Sequence, residues 1–252
     1  MNWMHRVDRE WLEARKNYLS ASDVKKLIPV TATGRPRANI EEAYLKAWAD
    51  KQCSVTEDDI VSTGAMARGH LLEPYALAEF NKISGMPTLY HWDDALIYSV
   101  EGLSCSPDSL DIEQLSADVE VFGEDIKPKY LGEVKSYNGA AHYQAGLADP
   151  LTLEDRWQIA AAFYTMPTLI SAVLIMFNPT AKHPLFYHTY SRHTLSDELD
   201  MIDRVMLEYR RIRAGLESSA DVSCPVKQGC ISEEDIIAEL LEKQDIEAGL
   251  NP

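Results

Sequence analysis

A proline–aspartate step at Pro107-Asp108, followed by Glu133-Val134-Lys135 with Glu133 25 residues beyond Asp108, constrains this chain more than any other feature. Ser104 to Leu110 and Leu131 to Ser136 both read as short strands, the first turned sharply by Pro107. Side chains alternate along a strand, so Glu133 and Lys135 share one face while Val134 takes the other. If pairing brings Asp108 beside them, two carboxylates and an ammonium converge on one spot. Carboxylates about 4 Å apart in a partly dry site repel unless a cation sits between them. A hard divalent ion such as Mg²⁺ suits that geometry, because it takes oxygen ligands and keeps several of its waters. The lysine can then orient an attacking water or steady charge building on a phosphate. This is equipment for phosphodiester hydrolysis. The plainer reading, a surface turn and a strand with an exposed ion pair, stays open on these residues alone.

With 252 residues, 46% of them hydrophobic and 25% charged, the chain can bury the core of one ordinary domain. Its longest apolar run, Leu169 to Phe177, is too short to cross a bilayer. Met1 to Arg9 holds a His, two Arg and an Asp rather than an apolar signal segment, so the cytoplasm is the expected location. Cys53, Cys105, Cys224 and Cys230 are scattered and read as reduced thiols. The net charge of −16 speaks against diffuse, histone-like binding of nucleic acid. It is unevenly spread, however: residues 1–40 carry eight Lys/Arg against four acids. A locally basic end on an acidic body can still meet a phosphate backbone, because screening limits repulsion beyond about 10 Å.

Along the chain, Trp3 to Lys16 reads as a helix with Arg15 one turn beyond Trp11. Ser20 or Ser22 can cap a short helix that Pro29 ends, and a helix start with a hydroxyl is also a phosphate seat that Arg15 could clamp. A plain N-cap with a surface arginine is the alternative. Thr31 to Ala38 is a loop with Arg35 and Arg37 flanking Pro36, and Asn39 to Ala49 is a capped amphipathic helix. A long helix from Ser62 or Thr63 to Ile83 buries Met66, Leu72, Ala76 and Phe80, and Gly85 stops it. Glu73, beside that stripe, is either a boundary residue or a third acid aimed at the site. Leu96 to Val100 and Leu103 to Ser106 form a hairpin around Glu101-Gly102. Thr152 to Tyr164 is helical, Leu169 to Met176 and Leu185 to Tyr190 are core strands, and Leu195 to Leu216 is a closing helix. The order predicts an α/β domain with a mixed central sheet flanked by helices over residues 1–216, and an acidic helical tail over 217–252.

Taken in order, Trp11…Arg15, Ser20-Ala21-Ser22, Glu73, Ser106-Pro107-Asp108, Glu133-Val134-Lys135 and Trp157-Gln158 resemble the phage lambda exonuclease/YqaJ-like viral recombinase family. That family has the restriction-endonuclease-like PD-(D/E)XK fold. The resemblance implies that Asp108 and Glu133 hold Mg²⁺, or Mn²⁺ in its place, with the Val134 carbonyl beside them. It further implies that Lys135 is the catalytic lysine, that Glu73 serves a second metal, and that Gln158 completes the catalytic set. Arg15 and Ser22 match its 5′-phosphate pocket, and Arg37 resembles a loop arginine that enters the minor groove. Family members digest one strand of duplex DNA from its 5′ end, leaving 3′ overhangs. They often act as ring-shaped trimers beside a single-strand-annealing protein in phage recombination, within the bacterial host cell. Two competitors remain: a structure-specific or restriction-type endonuclease on the same core, and a nucleic-acid- or partner-binding module without the chemistry.

Overall fold

Residues 18–29, 40–52, 64–91, 98–112 and 127–223 are described by the computed structural model. The first half of the chain holds β1 (Leu19–Ser20), α1 (Ala21–Leu27), α2 (Ile40–Gln52), α3 (Gly64–Ile83), β2 (Tyr90–His91), β3 (Tyr98–Val100), β4 (Leu103–Cys105) and β5 (Ser109–Leu110). Then come β6 (Tyr130–Lys135), α4 (Gly139–Leu147), a 3-10 turn (Pro150–Thr152), α5 (Arg156–Thr165), β7 (Ser171–Phe177), β8 (Leu185–Ser191) and α6 (Ser196–Ser223). The chain divides into two units, residues 1–212 and 213–252. In the second, the described residues 213–223 are helical, with Arg213 paired to Glu217 at 2.7 Å. No helix among the described residues is long and apolar enough to cross a membrane.

The strands make two sheets, in the orders β1-β4-β3 and β2-β5-β6-β7-β8. In the larger sheet β6 and β7 run parallel, joined by a crossover that holds α4 and α5, and the other neighbours are antiparallel. The expected mixed α/β architecture is therefore present, but its strands are split between two sheets. The split falls inside the Ser104–Leu110 segment. Pro107 offers no N–H to a ladder, so pairing stops there and Ser106-Pro107-Asp108 carries the chain from the small sheet into the large one.

Strand alternation assigns the two faces of the larger sheet to different helices. Val134, Val173 and Ile175 join Ala76, Leu77 and Phe80 of α3 in one cluster. Leu131, Ala172 and Leu174 point the other way, into a cluster with Ile159, Ala160 and Phe163 of α5 and Ile202, Val205 and Met206 of α6. Each fully buried Val, Leu, Ile, Phe or Met among them contributes about 1.5–3 kcal/mol over its exposed state. Ala21, Val24 and Leu27 of α1 belong to the α5 side as well.

Local chemistry accounts for the element ends. Glu101 (φ 51°) and Gly102 (φ 91°) both turn left-handed, as a two-residue hairpin loop with the strand twist requires, and β3 and β4 pair across them. Ser20 stands at the N-cap of α1, yet its hydroxyl donates to Asp23 Oδ2 at 2.5 Å and caps no backbone N–H. The helix expected from Thr152 starts at Arg156 instead. Asp149 accepts Leu151 N–H at 3.0 Å and closes a separate 3-10 turn around Pro150 before α5 begins. The closing helix reaches Ser223, beyond the expected Leu216. The expected helix over residues 3–16, the 31–38 loop and Asn39 lie outside the described residues, and so do Arg15 and Arg37.

Candidate active site

Gly132 sets the spacing of the two strands that carry the acids. Ser109 of β5 lies opposite Gly132 of β6, and Leu110 opposite Leu131. One step further along this register brings Asp108 level with Glu133. A Cβ at Gly132 would stand 2.9 Å from Leu89 Cδ1 and closer still to Ser109 Oγ, so a side chain there would push β5 away. Ser109 Oγ instead donates to the Gly132 carbonyl at 3.0 Å and pins the join.

On that frame, Asp108 Oδ2 accepts the Val134 N–H at 2.9 Å, which holds this carboxylate against the backbone between Glu133 and Lys135. Lys135 Nζ donates to Glu133 Oε1 at 2.7 Å and to Gln158 Oε1 at 3.0 Å. Gln158 Nε2 donates to the same Glu133 oxygen at 2.6 Å, closing a triangle of three side chains. Glu133 is only 4% exposed. Burial alone would lower the Lys135 pKa, but the Glu133 and Asp108 carboxylates outweigh it and hold the ammonium well above the ordinary lysine range. Lys135 is thus a fixed cation in this arrangement, a hydrogen-bond donor and not a base. Asp108, Glu133, Lys135 and Gln158, picked out separately in the sequence, meet here.

The end of β6 is flanked on both sides. Tyr137 O–H donates to Asp155 Oδ2, and burial together with that carboxylate pushes the phenol pKa up, so it stays neutral. Lys25 Nζ of α1 lies 3.9 Å from Asp155 Oδ1, one helical turn from the exposed Ser22, whose hydroxyl meets that of Ser20 at 3.0 Å. From the α3 side, Arg68 Nη1 donates to Ser136 Oγ at 2.9 Å. Glu73 has a setting of its own on α3, the helix that covers the opposite face of the sheet from α5. It is 6% exposed, with His70 Nδ1 3.0 Å from Oε1 and His91 Nε2 3.0 Å from Oε2. Glu73 is therefore no boundary residue; it is buried and held by two imidazoles.

Sequence reasoning missed His70, His91, Arg68, Tyr137 and Asp155. A helical i,i+3 check would have found His70 beside Glu73, and Asp155 sits three residues before Gln158. His91 gave no such signal, because only the β2–β5 pairing brings it near.

The donors suit a hard divalent cation. Asp108 and Glu133 supply two carboxylates, with the Val134 carbonyl between Glu133 and Lys135 in sequence. Among the described residues no three His, Cys, Asp or Glu side chains gather closely enough to hold a metal.

The sequence matches the YqaJ-like viral recombinase domain over residues 10–164, more than half of its length. The chain belongs to this family. Among solved structures, LHK-Exo in complex with dAMP is similar over 85% of this chain and 98% of its own, at a TM-score of 0.57 and 16% identity. The alkaline exonuclease LHK-Exo from Laribacter hongkongensis gives a TM-score of 0.56 at the same identity and coverage. Likeness at such identity speaks for the fold, which is that of the lambda-exonuclease-like nucleases of PD-(D/E)XK type. No curated protein matches the sequence.

Proposed function

We propose that this protein is a divalent-metal-dependent exonuclease that digests one strand of linear duplex DNA from its 5′ end and leaves 3′ overhangs for phage-type recombination. Family membership and the shared fold support a DNA exonuclease. The observation that carries the chemistry is the Lys135 ammonium, fixed by Glu133 Oε1 and Gln158 Oε1 beside Asp108. Hydrolysis adds a water oxygen to phosphorus and breaks the P–O3′ bond, with negative charge growing on the phosphoryl oxygens. Lys135 answers that charge and can hold the water by a hydrogen bond, while Gln158 keeps the Glu133 carboxylate turned toward the site. Asp108, Glu133 and the Val134 carbonyl would hold Mg²⁺ or Mn²⁺, which supplies Lewis-acid activation of water and phosphate. Glu73, held by His70 and His91, would serve a second ion.

Arg15 and Ser22 would bind the 5′-terminal phosphate and Arg37 the minor groove. A terminal-phosphate pocket favours the exonuclease over the endonuclease reading, because an endonuclease has no use for one. A closed trimer and a single-strand-annealing partner complete the proposal. The decisive assay compares linear with closed circular duplex, with Mg²⁺ and with EDTA. Digestion of linear DNA alone, only with Mg²⁺, and faster on 5′-phosphate than on 5′-hydroxyl ends is expected. Cutting of the closed circle would move the endonuclease ahead, and no cutting of either would leave a binding module.

A further inference from the structure

We infer that Arg68 is a DNA-binding residue, contacting the backbone phosphodiester on the 3′ side of the scissile one. This rests on the exonuclease reading and names a contact that the sequence did not suggest. A guanidinium carries five N–H donors in a rigid fork suited to phosphate. Among the described residues, the one partner of Arg68 is the Ser136 hydroxyl, a neutral group that takes a single bond at 2.9 Å. A partly buried arginine so placed keeps its charge unmatched and most of its donors unspent.

Its position decides what it meets. Ser136 directly follows Lys135, so a guanidinium bound to that hydroxyl stands within one nucleotide's reach of the phosphate being cut. Ser22 and Lys25 belong to α1, on the α5 side of the sheet, whereas Arg68 approaches from α3 on the other side. A strand that seats its 5′ end at α1 and is cut at Lys135 reaches Arg68 with the phosphodiester beyond the cut. Among the described residues, a Cβ added at Gly69 or at Gly139 would meet no atom within 4 Å. A backbone can therefore come close between the start of α3 and the end of β6.

A bracing role, in which Arg68 only ties α3 to β6, makes different predictions. Binding of 5′-phosphorylated duplex is measured across a salt series in the Lys135→Ala background with EDTA, and digestion is measured with Lys135 restored. Arg68→Ala should raise the half-saturating DNA concentration about tenfold, as loss of one charge-assisted contact does. It should also shallow the slope of log affinity against log salt by about one, and leave the rate at saturating DNA within about twofold. Arg68→Lys should keep the slope, and Ser136→Ala, which cuts only the tether, should bind like the parent. If Arg68→Ala does not fold, Arg68→Gln serves in the same comparison. Equal losses in Arg68→Ala and Ser136→Ala, with the salt slope unchanged and the melting temperature lowered, would establish bracing and overturn the inference. A wild type that neither binds nor digests linear duplex would instead remove the exonuclease reading itself. Wild-type activity beside an Arg68→Ala variant indistinguishable from it would remove this inference alone.

Discussion

Replacing Lys135 with methionine should unmask the repulsion that the lysine now suppresses. At 2.7 Å from Glu133 Oε1, the ammonium is attracted by about 6 kcal/mol at an effective dielectric of about 20. Removing one member of a buried pair costs about 3–5 kcal/mol, because the partner is left as an uncompensated charge. The Lys135 side chain is 26% exposed and that of Glu133 only 5%, so water reaches the pair from the lysine end and the lower figure, about 3 kcal/mol, applies. For a chain of this size that corresponds to a melting temperature about 6–12 °C lower in EDTA. The methionine fills the space of the lysine stem, so the loss reports charge and not a void. A further signature follows. At one and the same Mg²⁺ concentration the ion should stabilise the variant more than the wild type, because it now replaces a missing cation and binds more tightly. Thermal unfolding of both proteins with EDTA and with Mg²⁺ checks both. A variant as stable as wild type in EDTA, with no extra response to Mg²⁺, would refute the electrostatic account of the site.

Asp108→Asn should abolish Mg²⁺-dependent digestion and keep the fold, since an amide oxygen can still accept the Val134 N–H; full activity in the purified variant would remove Asp108 from the metal site. Gly132→Ala should destabilise by about 1–3 kcal/mol through crowding against Ser109 and Leu89, seen as a lower denaturation midpoint, and a neutral result would mean that β5 yields without cost. Stability should fall steeply above pH 10. Burial, aided by Glu208, pushes Tyr44 up to about 12, and Tyr137, Tyr190 and Lys135 are also raised, so the stability they contribute is full below their unfolded values and is lost as pH climbs through the folded ones. Phenolate absorbance for the buried tyrosines should then appear together with unfolding, and gradual titration of every tyrosine in the folded protein would contradict this. Light scattering of the full chain should give a trimer, and an active monomer would dismiss the ring.

What the sequence disclosed was what neighbouring residues decide. The Glu101-Gly102 hairpin follows from turn chemistry and the facing of Glu133 and Lys135 from strand alternation, whereas Gln158 came only through the family resemblance. What stayed hidden depends on distant partners. Nothing local says that β4 and β5 enter different sheets, or that the two residues of β2 pair with β5 and so bring His91 to Glu73. The Ser20 hydroxyl is the intermediate case. Its position as N-cap was legible, but the choice between a backbone N–H and the Asp23 carboxylate is settled by distances that a residue pattern does not contain.

The crossover between β6 and β7 also has a kinetic meaning. Glu133 and Lys135 lie on β6 and Gln158 in the crossover, so the triangle closes only when residues 136–170 have folded back and the parallel ladder has formed. Parallel pairing across an intervening helical layer is among the slower events of folding, because its loop-closure entropy is lost before its contacts are gained. Asp108 and Glu133 can approach earlier through the antiparallel β5–β6 pair, without the glutamine that steadies them. A chain emerging from the ribosome would thus carry its acids long before it could use them, and would become able to cut DNA only as its last strands locked in.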